Sequence, residues 1–309
     1  MNDKYVSIII PTLNEEEYLP LCLESIYSLD YPKKLMEIIV VDNGSTDRTR
    51  EIAKEYGANV LIDYEMNVSG LRNLGASKSK GIILAFVDAD CIVSKDWLSA
   101  SLIYFDKNDV AAWGSPPVVP VDATWVQKTW YLIRKKNKII EKADWLESMN
   151  LFVRKSTFDK IGGFNDSLVT CEDVDFSYRI KQYGNIVSDS TMQVTHLGEA
   201  KTVREFFNKE LWRGRSNIVG IFSHGITLKE IPSLSIPLYF GVYIPFLYVM
   251  LYITSNLLWL ALGVFSYILP FIYIIYKKRE KMNIVAMIKL VYLLNIYFFA
   301  RTISILRVN

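Results

Sequence analysis

The chain reads as an α/β domain on a mostly parallel central sheet, followed by apolar helices of membrane length. Three observations predict this. From Tyr5 to Asp90, short apolar runs alternate with helical patterns, the signature of βαβ units. The runs end in turn-forming polar clusters, Pro11–Asn14, Asp42–Ser45 and Asp88–Asp90, on the strand edge where open α/β sheets bind ligands. Finally, Ile236 to Tyr276 is a stretch of 41 residues without a charge. At a rise of about 1.5 Å per residue, that is about twice what a ~30 Å hydrocarbon core requires.

The elements follow in order. Tyr5 to Ile10 predicts a buried strand, and Glu15 to Leu29 a helix with Asn14 as N-cap and three glutamates at its positive end. Pro20 lies early in that helix and can delay its start. Glu37 to Val41 is a second strand, closed by Asp42-Asn43-Gly44-Ser45-Thr46-Asp47, where Gly44 permits a tight turn. Asp47 can start a helix from Arg48 to Tyr56; Asn59 to Ile62 is a short strand, and Asn67 to Ser79 a helix carrying Arg72 and Asn73. Ile82 to Val87 is another buried strand. Later come a helix from Asp173 to Tyr183, opened by Glu172-Asp173, and a strand from Met192 to Thr195 before His196.

Asp88-Ala89-Asp90 follows directly on a buried strand. Strand side chains alternate faces, so carboxylates at i and i+2 are expected to point the same way and to repel each other. A hard divalent cation, Mg²⁺ or Mn²⁺, removes that repulsion and is often held by one or two carboxylates plus substrate phosphates. The first strand–helix turn carries neither G-x-G-x-x-G nor a P-loop, so dinucleotide and P-loop chemistry are disfavoured.

Composition narrows the classes further. The formal net charge of +2 over 309 residues argues against a nucleic-acid binder. Cys22, Cys91 and Cys171 form neither a disulfide framework nor a zinc pattern. The opening Met1-Asn2-Asp3-Lys4 leads into an apolar run too short for a signal peptide, so a cytosolic N-terminal domain is expected. Thr254-Ser255-Asn256 breaks the long apolar stretch into a hairpin of membrane helices, about 235–254 and 257–276. The cluster Lys277-Lys278-Arg279-Glu280-Lys281 places its far end in the cytosol. A third apolar segment, 284–306, contains Lys289, Asn295 and Arg301, which fall about 120° apart around a helix. It is expected to be a third crossing, with a protein-packed helix at the membrane edge as the alternative. Thr202 to Ser223 predicts an amphipathic interfacial helix, with Phe206, Phe207, Leu211 and Trp212 beside Arg204, Lys209, Arg213 and Arg215. The expected organisation is a globular domain over 1–201, an interfacial segment over 202–233 and a membrane domain over 234–309.

Taken together, Ser7-Ile8-Ile9-Ile10-Pro11-Thr12-Leu13-Asn14-Glu15, Val40-Val41-Asp42-Asn43-Gly44-Ser45-Thr46-Asp47 and Asp88-Ala89-Asp90 resemble the family 2 glycosyltransferases of the GT-A fold. Asn150-Leu151-Phe152-Val153-Arg154-Lys155, Gly162-Gly163-Phe164 and Glu172-Asp173-Val174-Asp175-Phe176-Ser177-Tyr178-Arg179 continue the resemblance in order and spacing. It spans roughly residues 5–200.

The resemblance implies the following roles. Pro11, Thr12, Asn14, Glu15 and Asp42 flank the nucleoside of a UDP- or GDP-sugar, and Arg72 helps to hold the nucleotide. Asp88 and Asp90 hold ribose and metal, with His196 as a further metal or diphosphate ligand. Asp173 is the general base on the acceptor, with Glu172 beside it on the substrate. Arg213 and Arg215 reach diphosphate or lipid phosphates. For Glu172 and Asp173, the residues alone also read as first-turn acids matching a helix dipole. The Q-x-x-R-W pattern of processive synthases is absent, which implies single-sugar transfer. The expected activity is a membrane-anchored, inverting, metal-dependent sugar transfer to a hydroxyl of a lipid-linked or glycan acceptor. Membrane lipids are expected partners and nucleic acid is not. Two alternatives remain: a polyprenyl-phosphate sugar transferase, whose acceptor is a phosphate, and a catalytically silent nucleotide-binding membrane scaffold.

Overall fold

The computed structural model describes residues 4–134, 139–215, 235, 238–278 and 282–306. They form two compact units, one of residues 1–121 with 135–199 and one of residues 122–134 with 200–309.

In chain order the first unit contains β1 (Val6–Thr12), α1 (Leu19–Tyr27), β2 (Met36–Asp42), α2 (Thr49–Glu55), β3 (Asn59–Ile62), α3 (Val68–Lys78), β4 (Ile83–Val87), β5 (Cys91–Val93), α4 (Trp97–Ser101) and β6 (Val110–Gly114). After α5 (Trp125–Arg134), which belongs to the other unit, come β7 (Ile140–Ala143), β8 (Asn150–Arg154), α6 (Lys155–Lys160), α7 (Glu172–Ile180), β9 (Asn185–Asp189) and β10 (Val194–His196). The eight-stranded sheet has the order β3-β2-β1-β4-β8-β6-β9-β7, and β5 pairs with β10 in a separate ribbon. The β3-β2-β1-β4 half is parallel throughout. β8 then enters antiparallel to both β4 and β6.

Both faces of the parallel half are covered. Ile8, Ile10, Val40, Ile83 and Ala85 belong to one core cluster, while Ile9, Ile39, Val41, Leu84 and Phe86 belong to another. Successive strand residues point to opposite faces, so a strand buried on both sides must be apolar at every position. That is why these strands read as continuous apolar runs.

Several helix starts differ from expectation. α1 begins at Leu19, because Pro20 at its first turn has no amide to donate and Glu15 to Tyr18 form a separate turn. Asn14 is therefore not its N-cap. It sits at φ 55° and turns its amide oxygen to the Thr46 backbone NH at 2.9 Å. Asn67 does cap α3, accepting from the Gly70 NH at 3.1 Å. The predicted strand before His196 lies slightly later, as β10, and the helix opened by Glu172 ends at Ile180.

The second unit comprises α5, α8 (Val203–Arg213), α9 (Ile244–Thr254) after a π-turn at Tyr239–Tyr243, α10 (Leu257–Lys278) and α11 (Ile284–Leu306). α9 and α10 pack together around the expected break at Thr254–Asn256, but the described helix before the break, Tyr239–Thr254, is shorter than the expected 235–254 and positions 236–237 of that expectation lie outside the described residues. Ser255 turns the chain at φ 50°, and Asn256 caps α10 by accepting from the Leu258 NH at 2.9 Å. Two described segments, Leu257–Tyr276 and Ile284–Ser304, are long and apolar enough to cross a membrane. The amphipathic helix expected from Thr202 stops at Arg213; positions 216–223 of that expectation lie outside the described residues.

Candidate active site

The C-terminal ends of β1 and β2 are joined by polar contacts between their loops. The Asn14 NH donates to Ser45 Oγ at 2.8 Å, the Glu15 NH to Thr49 Oγ1 at 2.7 Å and the Glu16 NH to Asp47 Oδ2 at 3.1 Å. Asp42 is fully buried at the centre of this loop pair. Its carboxylate accepts from the Gly44 and Ser45 amides at 3.1 and 2.9 Å, from the Ser45 hydroxyl, and from Thr12 Oγ1 at 3.2 Å. Gly44, at φ 78°, allows the turn to close around that carboxylate. Pro11, Thr12, Asn14, Glu15 and Asp42 are thus brought together.

The next strand end carries the acid pair. β4 stops at Val87, so Asp88 and Asp90 lie in a turn, and their directions are set by partners rather than by strand alternation. Asp88 Oδ1 accepts from Arg72 Nη2 at 2.7 Å, and Arg72 Nη1 reaches Glu172 Oε1 at 2.9 Å. Arg72 is 2% exposed and so forms a buried clamp between the β4 turn and the first turn of α7. Ser148 Oγ also donates to Glu172, at 3.3 Å. Arg72, Asp88 and Glu172 are therefore one constellation.

Asp173 stands beside it, half-buried, with Oδ1 accepting from the Val174 NH at 2.8 Å. Burial first, then the Glu172 and Glu147 carboxylates, hold its pKa well above the ordinary carboxylate range. The residue that opens α7, Cys171, has φ 66° and ψ 16°. A non-glycine residue in that left-handed region is strained, and such strain concentrates at functional sites.

Asp90 faces a different partner. Its Oδ2 lies 3.0 Å from His196 Nε2, and His196 Nδ1 lies 3.4 Å from Glu199 Oε1. Burial opposes a charge on the imidazole, but Asp90 and then Glu199 outweigh it and push its pKa up to about 9. Glu15 joins the same field. Burial, then Asp90 and Asp88, raise its carboxyl to about 7. Gly198 makes the closure possible, since a Cβ there would lie 1.8 Å from Asp90 Oδ2.

The donor set fits a hard or borderline divalent cation. Asp90, Cys91 and His196 present ligand atoms within 4.8 Å of one another, with Asp88 and Glu15 in the same negative field. Burial keeps the Cys91 thiol protonated, which leaves oxygen and imidazole donors. Such a set suits Mn²⁺ or Mg²⁺ better than a thiolate-seeking metal.

Arg213 and Arg215 lie in the second unit. Arg213 Nη1 is 2.7 Å from Glu210, which is buried, and Arg215 is exposed. Sequence reasoning missed Glu147, Gly198 and Glu199. Gly198 and Glu199 stand within three residues of His196, a spacing that could have drawn attention to them; Glu147 has no such signal.

Comparison with known proteins identifies the family and the fold. The family model described as glycosyl transferase family 2 matches residues 7–162. Glycosyltransferase AglE of Haloferax volcanii is 30% identical over 241 residues, covering 75% of this chain and 79% of AglE. The chain belongs to glycosyltransferase family 2. The poly(ribitol-phosphate) β-N-acetylglucosaminyltransferase TarS of Staphylococcus aureus is 32% identical over 108 residues, covering 33% of this chain and 19% of TarS. Among solved structures, the mannosyltransferase PcManGT from Pyrobaculum calidifontis, in complex with GDP-Man and Mn²⁺, superimposes with a TM-score of 0.70 at 14% identity. That match covers 98% of this chain and 87% of PcManGT and is a likeness of fold.

Proposed function

We propose that the chain is a membrane-anchored, inverting, non-processive glycosyltransferase. It moves one sugar from a UDP- or GDP-sugar to a hydroxyl of a lipid-linked or glycan acceptor. The observation that carries this reading is Asp173, held in the first turn of α7 beside the Arg72 clamp, with its carboxyl pushed above the usual range.

A neutral sugar hydroxyl is a weak nucleophile until its proton is taken as the new bond forms. A positioned carboxylate does this and typically contributes about 10²–10⁴-fold. An environment that raises the carboxyl pKa makes the ionised form a stronger base. Direct attack by the activated hydroxyl inverts the anomeric carbon. A phosphate acceptor is already ionised and requires no such base, so Asp173 favours the hydroxyl.

Pro11, Thr12, Asn14, Glu15 and Asp42 make the nucleoside side of the donor site in this reading. Arg72 serves as a fixed cation near the donor, and its Nε is a buried donor without a hydrogen-bond partner among the described residues. Asp90 and His196, with Asp88 close by, hold Mn²⁺ or Mg²⁺, which neutralises the leaving diphosphate when bound. His196 must release the proton it shares with Asp90 before Nε2 can serve as a ligand. The α9–α10 hairpin anchors the chain, with the catalytic unit on the cytosolic side and membrane lipids around the hairpin.

The test is a panel of nucleotide-sugars, scored for donor hydrolysis and then for transfer, with wild type and Asp173→Asn. The variant is expected to bind donor and Mn²⁺ nearly as wild type and to lose about two to four decades of turnover. Near-wild-type transfer would remove the base assignment and favour a phosphate acceptor.

A further inference from the structure

The turn after β3 is exposed, yet its backbone is held on several sides. The Asp63 NH donates to the Asp42 carbonyl at 3.0 Å, and Asp63 Oδ1 accepts from the Glu65 and Met66 amides at 3.0 and 2.8 Å. From the β2 turn, Asn43 Nδ2 donates to the carbonyls of Asp63 and Met66 at 3.0 and 2.9 Å. One side-chain amide thus clamps both ends of the turn. α3, which carries Arg72, starts directly behind it at Val68.

The side chain that this turn presents is Tyr64. It is 71% exposed, so most of its ring has no protein cover. The edge of the ring rests on Gly44, where a Cβ would lie 2.6 Å from Tyr64 Cδ1 and 3.1 Å from Cε1. Gly44 therefore seats this ring as well as closing the turn around Asp42. β2 and β3 run parallel with Asp42 beside Ile62, so both turns leave the sheet at the same edge. Tyr64 stands there between the Asp42 turn and α3, next to the residues assigned to the nucleoside. A single exposed apolar group on a surface needs no explanation. An aromatic ring carried on a pinned turn beside a ligand site is different, because it offers contact area at small cost in conformational entropy.

Asp42 adds a second reason. A carboxylate has about four lone-pair sites. Those of Asp42 are taken by the Gly44 and Ser45 amides on Oδ1 and by the Ser45 and Thr12 hydroxyls on Oδ2. A nucleobase has a polar edge and two flat faces. With the buried acid committed to its own turn and to Thr12, the faces are left to carry much of the grip. Stacking on an aromatic ring does this for any base, since every base has a π-face.

We propose that Tyr64 stacks on the nucleobase of the donor and forms the outer wall of the nucleoside site. It holds the nucleotide and takes no part in the chemical step, so its loss raises the KM for donor and leaves kcat nearly unchanged. The inference rests on the nucleotide-sugar reading, and titration of the wild type separates the two.

The test titrates the full chain with UDP and with GDP, each with Mn²⁺, by calorimetry. For the nucleotide that the wild type binds, Tyr64→Ala is expected to weaken affinity by about 5- to 150-fold, the range for truncating a base-stacking aromatic. Tyr64→Phe keeps the ring and is expected to stay close to wild type. The ring is mostly exposed, so neither change should disturb folding. Tyr64→Phe with a para-fluorine on the ring adds a direct reading of contact, since its fluorine resonance is expected to shift as the nucleotide is added. Equal affinity in Tyr64→Ala and wild type would overturn the proposal. So would a loss in Tyr64→Phe as large as in Tyr64→Ala, which would assign the effect to the hydroxyl, or a fluorine signal unmoved by bound nucleotide. A wild type that binds neither UDP nor GDP would remove the nucleotide-sugar reading and the proposal with it.

Discussion

Asp88 and Asp90 stand two residues apart in one turn and meet opposite surroundings. Asp88 is held by Arg72, a guanidinium that keeps its charge at every working pH, and the same Arg72 holds Glu172. Asp90 is held by His196, whose charge is a proton that it can give up. The Arg72 corner holds a permanent cation, shared between Asp88 and Glu172, that ties the β4 turn to the helix that bears Asp173. The His196 corner has its cation only while the imidazole is protonated, so a metal cation can take over there. The kind of counter-ion, rather than the spacing of the two acids, separates the architectural carboxylate from the exchangeable one.

The strongest way to break this comparison is to remove the permanent charge. Arg72→Met leaves Asp88 and Glu172 without their counter-ion in a buried setting. Breaking a buried ion pair by deleting one partner costs about 3–5 kcal/mol, a large share of the stability of a typical domain. Asp90→Asn on the other corner is expected to cost about 1 kcal/mol or less, because His196 answers by releasing its proton. Denaturant unfolding of both variants, followed by near-UV circular dichroism, checks this. Equal losses would mean that the two corners do not differ as described.

A second substitution sharpens the other side. Gly198→Ala places a methyl group 1.8 Å from Asp90 Oδ2, so either the loop or the carboxylate must move. The Arg72 clamp involves none of these atoms. Nucleotide diphosphate binding in the presence of Mn²⁺ is expected to weaken by about 10–100-fold, the usual cost of displacing a group that orients a metal ligand. Binding without metal should change little. Calorimetry in the two conditions measures both, and equal weakening in the two would detach Gly198 from the metal corner.

How far all this was legible in the sequence depends on what kind of interaction built each part. The strands of the parallel half are buried on both faces, so each announces itself as an apolar run, and the ligand-facing clusters follow from where those runs stop. β8 was not expected as the antiparallel strand between β4 and β6, because its run from Asn150 to Arg154 is apolar in either direction. Asp173 and Glu172 were legible from motif order, but Arg72's double grip was not. It joins α3 to α7 across 100 residues, and local spacing carries no trace of that. Asn14 read as a helix cap because its residue type suits one; the Thr46 amide on a neighbouring loop claimed its side chain instead. α5 was not anticipated as a partner of the C-terminal helices either, because its contacts with α11 lie far away in sequence.

The finest test concerns the base itself and a residue that has no motif. Asp173 must be unprotonated to accept a proton from the acceptor. Its pKa is raised by burial, then by Glu172 and Glu147, so turnover should fall as pH drops through a value above the ordinary carboxylate range. The sign follows directly: lower pH fills the base with a proton and stops the reaction, and higher pH frees it. Glu147→Gln keeps the shape and removes one of the charges that raise Asp173, while burial and Glu172 remain. The acidic limb of the kcat profile should then move to lower pH without vanishing. The permanent corner offers the opposite control, since Arg72 lowers the Asp173 pKa and Arg72→Lys, which keeps a cation but loses the fork, should move the limb little. A limb that stays in place in Glu147→Gln would mean that Glu147 does not act on the base. A limb at the ordinary carboxylate pKa in the wild type would mean that Asp173 is not the group being titrated.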